Sequence, residues 1–278
     1  MPELPEVEVC RRGLLPEVAG RTIQGAVVRI PRLRREVPAG LADILRGRRI
    51  AAILRRGKYL LFDCRGEEGE EGGGWLILHL GMSGNLRFVF PAVPAGRHDH
   101  FDLILPHTVL RLSDPRRFGV VTWQPGEDPM AHPLLAGLGV EPLSPEFTAD
   151  WLYAATRRRQ APIKNVLMDA RTVVGIGNIY ASESLFRAGI SPLRPASRVG
   201  RERCGRLVQA VRETLADAIA AGGSSIRDYV HSDGSAGWFQ IGCAVYDRAG
   251  QSCQRCGTLV RQVRQAGRST YYCPGCQR

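Results

Sequence analysis

The chain has 278 residues, enough for two domains with sizeable cores, and 44% of them are hydrophobic. No apolar run approaches the roughly 20 residues of a membrane helix, and the start of the chain has neither a secretory signal's apolar run nor a transit peptide's lack of acids. The formal net charge of +11 falls entirely in one half: residues 1–150 hold 19 Lys+Arg and 19 Asp+Glu, whereas residues 151–278 hold 19 and 8, which points that half at a polyanionic partner.

From the amino terminus, "MPELPEVEV" crowds three glutamates and two prolines into nine positions. Early proline and first-turn carboxylates are a helix start, where acids suit the dipole. A helix is expected over 3–19, with Leu4, Val7, Leu14, Leu15 and Val18 inward and Gly20 ending it. Strand-like runs follow at 22–30, 49–56, 59–64, 75–80, 85–90, 101–106, 108–113 and 119–123, the pattern of a sandwich or barrel. The acidic, glycine-rich "CRGEEGEEGGG" at 64–74 reads as a surface loop between strands. Past Trp123, proline and glycine dominate to about 148. Helical patterns then cover 148–158, 162–170, 178–188, 199–221 and a short 224–230 before the chain returns to short strands. The expected class is α+β: an N-terminal β-sandwich with a leading helix over 1–130, a hinge linker over 131–148, a helical domain over 149–240, and a C-terminal β-hairpin module over 241–278.

"CQRC" at 253–256 and "CPGC" at 273–276 give C-x2-C-x16-C-x2-C. Cys253, Cys256, Cys273 and Cys276 can surround one tetrahedral ion, and four thiolates leave no open position, so the site is read as structural Zn²⁺. Disulfides are the alternative, disfavoured without a secretory signal. Arg255, Arg261, Arg264 and Arg268 make this finger basic, and Cys10, Cys64, Cys204 and Cys243 are read as reduced and buried. Only Lys58 and Lys164 are lysines among the 38 basic residues. Lysine can be tuned toward neutrality where arginine cannot, so both are flagged; a phosphate contact or a plain surface charge also explains Lys164. In "VVGIGNIYASE" at 173–183, Gly175 and Gly177 precede a helix. They suit either an anion at its positive end or close packing, with Asn178 as cap or phosphate ligand. The lysine and spacing of a P-loop are missing.

"MPELPEVE", "GKYLL" at 57–61, "HLGMSG" at 79–84, "HDHFD" at 98–102 and "DPRRFG" at 114–119 occur in order. "VVGIGNIYASESLF" at 173–186, "GGSSIRDYV" at 222–230 and the four-cysteine terminus complete the set. From end to end the chain resembles the bacterial formamidopyrimidine-DNA glycosylase / DNA-(apurinic or apyrimidinic site) lyase family. Its endonuclease VIII relatives typically begin Pro-Glu-Gly-Pro instead. The "EEGEEGGG" insertion departs from the pattern and is expected on the surface.

The resemblance implies a helix-two-turn-helix domain and a mechanism. Met1 is removed, and the Pro2 amine attacks C1′ of a damaged nucleotide, releases the base and forms an imine with the opened sugar. Glu3 supplies the acid, Glu6 orients the site or moves protons, and Lys58, expected on a strand, donates a proton in the lyase stage. Met82 enters the gap left by the everted nucleotide, and Arg116 and Phe118 contact the orphaned base and wedge the neighbouring step; core packing is the plain alternative for Met82 and Phe118. His98, Arg116 and Arg159 match DNA contacts. Asn178 and Arg268 match the grip on the lesion phosphate, Arg268 also assisting the second elimination, and residues 222–237 match a loop over an oxidised purine. The implied partner is duplex DNA carrying oxidised purines or abasic sites, lying between the domains. The protein is expected to be a monomer in the bacterial cytoplasm, at the nucleoid through DNA, with one structural zinc and no catalytic metal. The activity would be excision of 8-oxoguanine and formamidopyrimidines followed by β,δ-elimination. An oxidised-pyrimidine glycosylase of the endonuclease VIII type and a non-catalytic zinc-containing DNA-binding protein are the alternatives.

Overall fold

A computed structural model describes residues 2–66, 72–223 and 242–278. The fold is α+β, in two compact units. The first runs to Ala136 and takes in Gly222 and Gly223; the second holds Gly137–Ala221 and the described residues after 241. Among the described residues, no helix is long and apolar enough to cross a membrane.

The first unit opens with helix α1 (Leu4–Val18), where Pro5 occupies the first turn that tolerates a missing N–H. Its Leu4, Val7, Leu14 and Val18 are buried, and Leu15 packs at the edge of the core. Two four-stranded antiparallel sheets follow. One is ordered β1 (Gly25–Val28), β6 (Asp99–Leu105), β7 (Thr108–Ser113), β5 (Asn85–Val89). The other is ordered β2 (Arg49–Arg56), β3 (Tyr59–Arg65), β4 (Gly74–His79), β8 (Val120–Pro125). Phe62 and Leu76 of one sheet, Phe101 and Leu112 of the other, and Val7 and Leu14 of α1 belong to one apolar core. Each such side chain contributes about 1.5–3 kcal/mol on burial, so the sheets and helix form one cooperative body.

Three features of this unit differ from the sequence reading. Helix α2 (Leu41–Leu45) lies in a stretch with no assigned element; its five residues bury Leu41 and Leu45 but are too few to show a period. Lys58 is not on a strand. Arg56 pairs with Tyr59, so Gly57 and Lys58 form the two-residue turn of the β2–β3 hairpin, with Gly57 supplying φ 57°. The stretch read as a hinge linker, 131–148, contains the boundary between the two units, after Ala136, and carries ordered structure on each side of it. Pro133–Ala136 forms helix α3 with Leu135 buried, and Phe147 is buried in the second unit. Val140 bridges to Val173, and a Cβ on Gly139 would meet the Thr172 carbonyl oxygen at 2.1 Å. The glycine is therefore a close-packing device rather than a flexible joint.

The second unit contains α4 (Ala149–Thr156), α5 (Ile163–Leu167), α6 (Asn178–Ala188) and α7 (Arg201–Ala220). The Thr148 hydroxyl caps α4 by accepting from the Trp151 N–H at 3.1 Å, and Gly189 ends α6 at φ 68°. The short helix expected over 224–230 lies outside the described residues, as does most of the acidic insertion. Strands β9 (Arg261–Gln265) and β10 (Arg268–Tyr272) form a hairpin through Ala266 and Gly267, both at positive φ. Val245, Val260, Tyr271 and Cys273 of this module share a cluster with Phe186 of α6. The carboxy-terminal module, expected as a domain of its own, therefore packs with the helices, as a segment too short to bury a sufficient core must.

Candidate active site

Glu3 and Glu6 are buried at the start of α1. The Glu3 N–H donates to Glu6 Oε2 at 2.7 Å, and the Glu6 N–H donates to the Glu3 carboxylate, a reciprocal capping box. Part of the acidity of the amino terminus is thus explained by helix capping, and the same bonds fix both carboxylates beside Pro2, itself buried. Gly223, at φ 85°, lies against Glu6; a Cβ there would sit 3.4 Å from Glu6 Cγ. Residues 222–237 were expected to cover a base, and from 224 onward they lie outside the described residues.

Glu8, two residues on, was not singled out by sequence. It accepts from Arg11 Nη2 at 2.8 Å, Arg12 Nε at 2.8 Å and Arg55 Nε at 3.2 Å. Burial alone would raise its pKa, but the guanidinium hydrogen bonds and charges outweigh it and hold the carboxyl at about 2. Arg55 also donates to the Gly57 carbonyl at 3.0 Å. Helix α1 is thereby tied to the turn that carries Lys58. His79, at the end of β4, is pushed down to about 4 by burial and then by the Lys58 and Arg34 charges. Its Nδ1 accepts from the Gly81 N–H at 2.9 Å, so the neutral ring carries its proton on Nε2.

Met82 and Phe118 are 39% and 42% exposed, which rules out core packing for both. Arg116 stacks over the Phe118 ring at 4.9 Å. His98 is exposed on the loop before β6. These four side chains and the α1 start all belong to the first unit.

In the second unit, Gly177 rather than Asn178 is the N-cap of α6. The Asn178 side chain is turned to other partners: Oδ1 accepts from Lys164 Nζ at 2.7 Å, and Nδ2 donates to the Ser269 carbonyl at 3.0 Å. Lys164 also donates to the Ser269 carbonyl at 3.2 Å and the Thr270 hydroxyl at 2.8 Å, and it is 1% exposed. It is neither a surface charge nor free to take a phosphate; it joins α5 and α6 to the hairpin. That junction brings Asn178 next to the strand that begins with Arg268, which is exposed after the turn. Arg159 forms an ion pair with Asp169 at 2.9 Å.

Cys253, Cys256, Cys273 and Cys276 have sulfurs within 4.8 Å of one another. Two of the separations are 3.9 and 3.4 Å, close to the roughly 3.8 Å that tetrahedral Zn–S bonds impose. The donor set fits one structural zinc ion. The Thr258 hydroxyl and amide draw the exposed Cys256 thiol down to about 6, whereas burial and the neighbouring sulfurs push the Cys276 thiol up to about 12; a bound metal needs all four as thiolates. Arg261, Arg264 and Arg268 are exposed along the hairpin, and Arg255, exposed as well, stacks on Phe186 of α6 at 4.8 Å.

Three family models match the chain: the formamidopyrimidine-DNA glycosylase N-terminal domain over residues 1–121, the formamidopyrimidine-DNA glycosylase H2TH domain over 138–230, and a zinc finger found in FPG and IleRS over 250–278. A formamidopyrimidine-DNA glycosylase of Dechloromonas aromatica is 67% identical over 281 residues, covering 100% of both chains. The structure of Lactococcus lactis Fpg with abasic-site-containing DNA is similar at TM-score 0.89 and 34% identity, covering 99% of each chain. A variant of that protein with Fapy-dG-containing DNA gives TM-score 0.90 and 33% identity over 100% of each chain. Matched along its whole length by sequence and by fold, the chain belongs to the formamidopyrimidine-DNA glycosylase family.

Proposed function

We propose that this protein is a bifunctional DNA repair enzyme that excises 8-oxoguanine and formamidopyrimidines from duplex DNA and then cuts the strand by β- and δ-elimination, in the bacterial cytoplasm. The observation that carries the reading is the start of α1: Pro2 directly precedes a buried Glu3–Glu6 pair whose carboxylates are fixed by mutual hydrogen bonds. While Met1 is attached the Pro2 nitrogen is an amide and cannot act as a nucleophile; its removal exposes a secondary amine. The positive end of the helix disfavours a charge on that amine, which favours the neutral, nucleophilic form, while the Glu3 and Glu6 carboxylates act in the opposite direction.

The amine adds to C1′ as the bond from C1′ to the base breaks, and the base leaves with a proton. Glu3 protonates the departing system or the sugar ring oxygen, opening the ring to an imine on Pro2. Loss of a C2′ proton then expels the 3′-phosphate, and a second elimination expels the 5′-phosphate, with Lys58 and Arg268 assisting. Met82, Arg116 and Phe118 fill the gap and meet the orphaned base; their exposure supports this. His98 and Arg159 contact the DNA. Asn178 and Arg268 hold the lesion phosphate, supported by the junction at Ser269. Zinc shapes the hairpin and takes no part in the chemistry.

Borohydride reduction during reaction with an 8-oxoguanine duplex tests the reading. A covalent protein–DNA adduct is expected; specific binding without an adduct would favour a non-catalytic DNA-binding protein. Parallel duplexes carrying oxidised purines and oxidised pyrimidines test the purine preference.

A further inference from the structure

Asp114 is fully buried, yet it is a carboxylate in a loop whose neighbours Arg116, Arg117 and Phe118 are all exposed. Both of its oxygens are engaged. Oδ1 accepts from the Ser83 hydroxyl at 2.8 Å, and Oδ2 accepts from the Gly119 N–H at 2.7 Å. The Ser83 oxygen in turn accepts from the Arg116 N–H at 3.3 Å. One carboxylate and one hydroxyl therefore join the loop that carries Met82 to the loop that carries Arg116 and Phe118.

The backbones meet as well. Gly81, at φ 65°, lies so close to the second loop that a Cβ would be 2.4 Å from the Phe118 carbonyl carbon. A Cβ on Gly119 would be 2.9 Å from the His79 carbonyl oxygen. Behind the loops, the Asp114 carbonyl accepts from the Arg117 N–H at 3.1 Å and from His100 Nε2 at 3.0 Å. Arg117 is held at φ 55°, a conformation that a non-glycine residue keeps only when its surroundings dictate it.

We infer that Ser83 and Asp114 are positioning residues that lock the two loops into one rigid wedge, so that Met82 and Phe118 enter the duplex together rather than independently. The inference rests on the proposed role of those two side chains in filling the gap. A wedge already ordered in the free protein loses no loop entropy when it separates stacked bases. Two loose loops would have to be ordered during the same step that opens the stack.

The test measures single-turnover excision from an 8-oxoguanine duplex, together with strand cleavage at an abasic site in single-stranded DNA, where no stack is opened. Ser83→Ala removes one oxygen from a partly exposed loop and should slow duplex excision about tenfold, the scale of a misplaced contact group, while changing single-strand cleavage less than about twofold. Asp114→Asn should reproduce the pattern if it folds; Ser83→Ala suffices if it does not. The effect should vanish when Ser83→Ala is added to a Met82→Ala/Phe118→Ala protein, because no wedge remains to be held. Duplex excision unaffected by Ser83→Ala, equal losses on both substrates, or a full Ser83→Ala effect in the wedge-truncated protein would overturn the inference alone. Duplex excision unaffected by Met82→Ala/Phe118→Ala would overturn the gap-filling role, and this inference with it.

Discussion

Replacing Glu8 with glutamine keeps the side-chain volume and removes the charge that three arginines share. The carboxyl is held at about 2 against an ordinary 4.5. At about 1.4 kcal/mol per tenfold, that difference corresponds to about 3 kcal/mol. Arg12 is 59% exposed and solvent screens its share, so about 2 kcal/mol is the expected loss for Glu8→Gln at pH 7. The folded value lies below the unfolded one, so the stabilisation is complete above about 4.5 and drains away as pH falls toward about 2. Urea unfolding of both proteins at pH 7 and at pH 3 measures it. The gap at pH 3 should be less than half of that at pH 7. A gap below about 0.5 kcal/mol at pH 7, or one that grows on acidification, would refute the electrostatic account of how α1 is fastened to β2.

His79 should titrate near 4 by NMR and rise in Lys58→Met, because Lys58 contributes to the depression after burial; an ordinary value near 6.5 would refute the burial of the ring, and no rise in Lys58→Met would refute the placement of the lysine beside it. Lys164→Met strands the Asn178 and Thr270 oxygens and should cost about 2–4 kcal/mol in urea unfolding, with weaker lesion binding; an unchanged midpoint would contradict a structural lysine. Cys256→Ser should lose zinc by elemental analysis and lesion binding together; full binding by metal-free protein would show that the ion does not shape the contact surface. Lesion affinity should fall steeply with salt if arginines meet phosphates, and a flat dependence would exclude that.

Strand positions were legible because alternating apolar residues and turn residues bound each run; 49–56 and 108–113 match the structure end to end. The helix starting at Leu4 was legible from its apolar spacing. The cysteine spacing announced its own geometry, since two C-x2-C turns leave little freedom. What sequence missed depends on long-range partners. Glu8 looks like any acid on the leading helix until Arg55, far along the chain, is seen to bind it. Lys164 looked like a surface cation because nothing local reveals that Ser269 and Thr270 enclose it. Asp114 likewise depends on Ser83, a contact that only the fold creates. The stretch 131–148 looked loose because proline and glycine mark both linkers and tight packing, and only burial of Leu135 and Phe147 separates the two.

The chemistry proposed here stands on the bond between the mature chain's first nitrogen and the sugar. Peptide mapping by mass spectrometry, after reduction of a reaction with an 8-oxoguanine duplex, should locate the modification on Pro2. Protein that retains Met1 or carries an amino-terminal tag should yield none. A reduced crosslink on Lys58 or any other side chain, or an undiminished adduct from tagged protein, would contradict it.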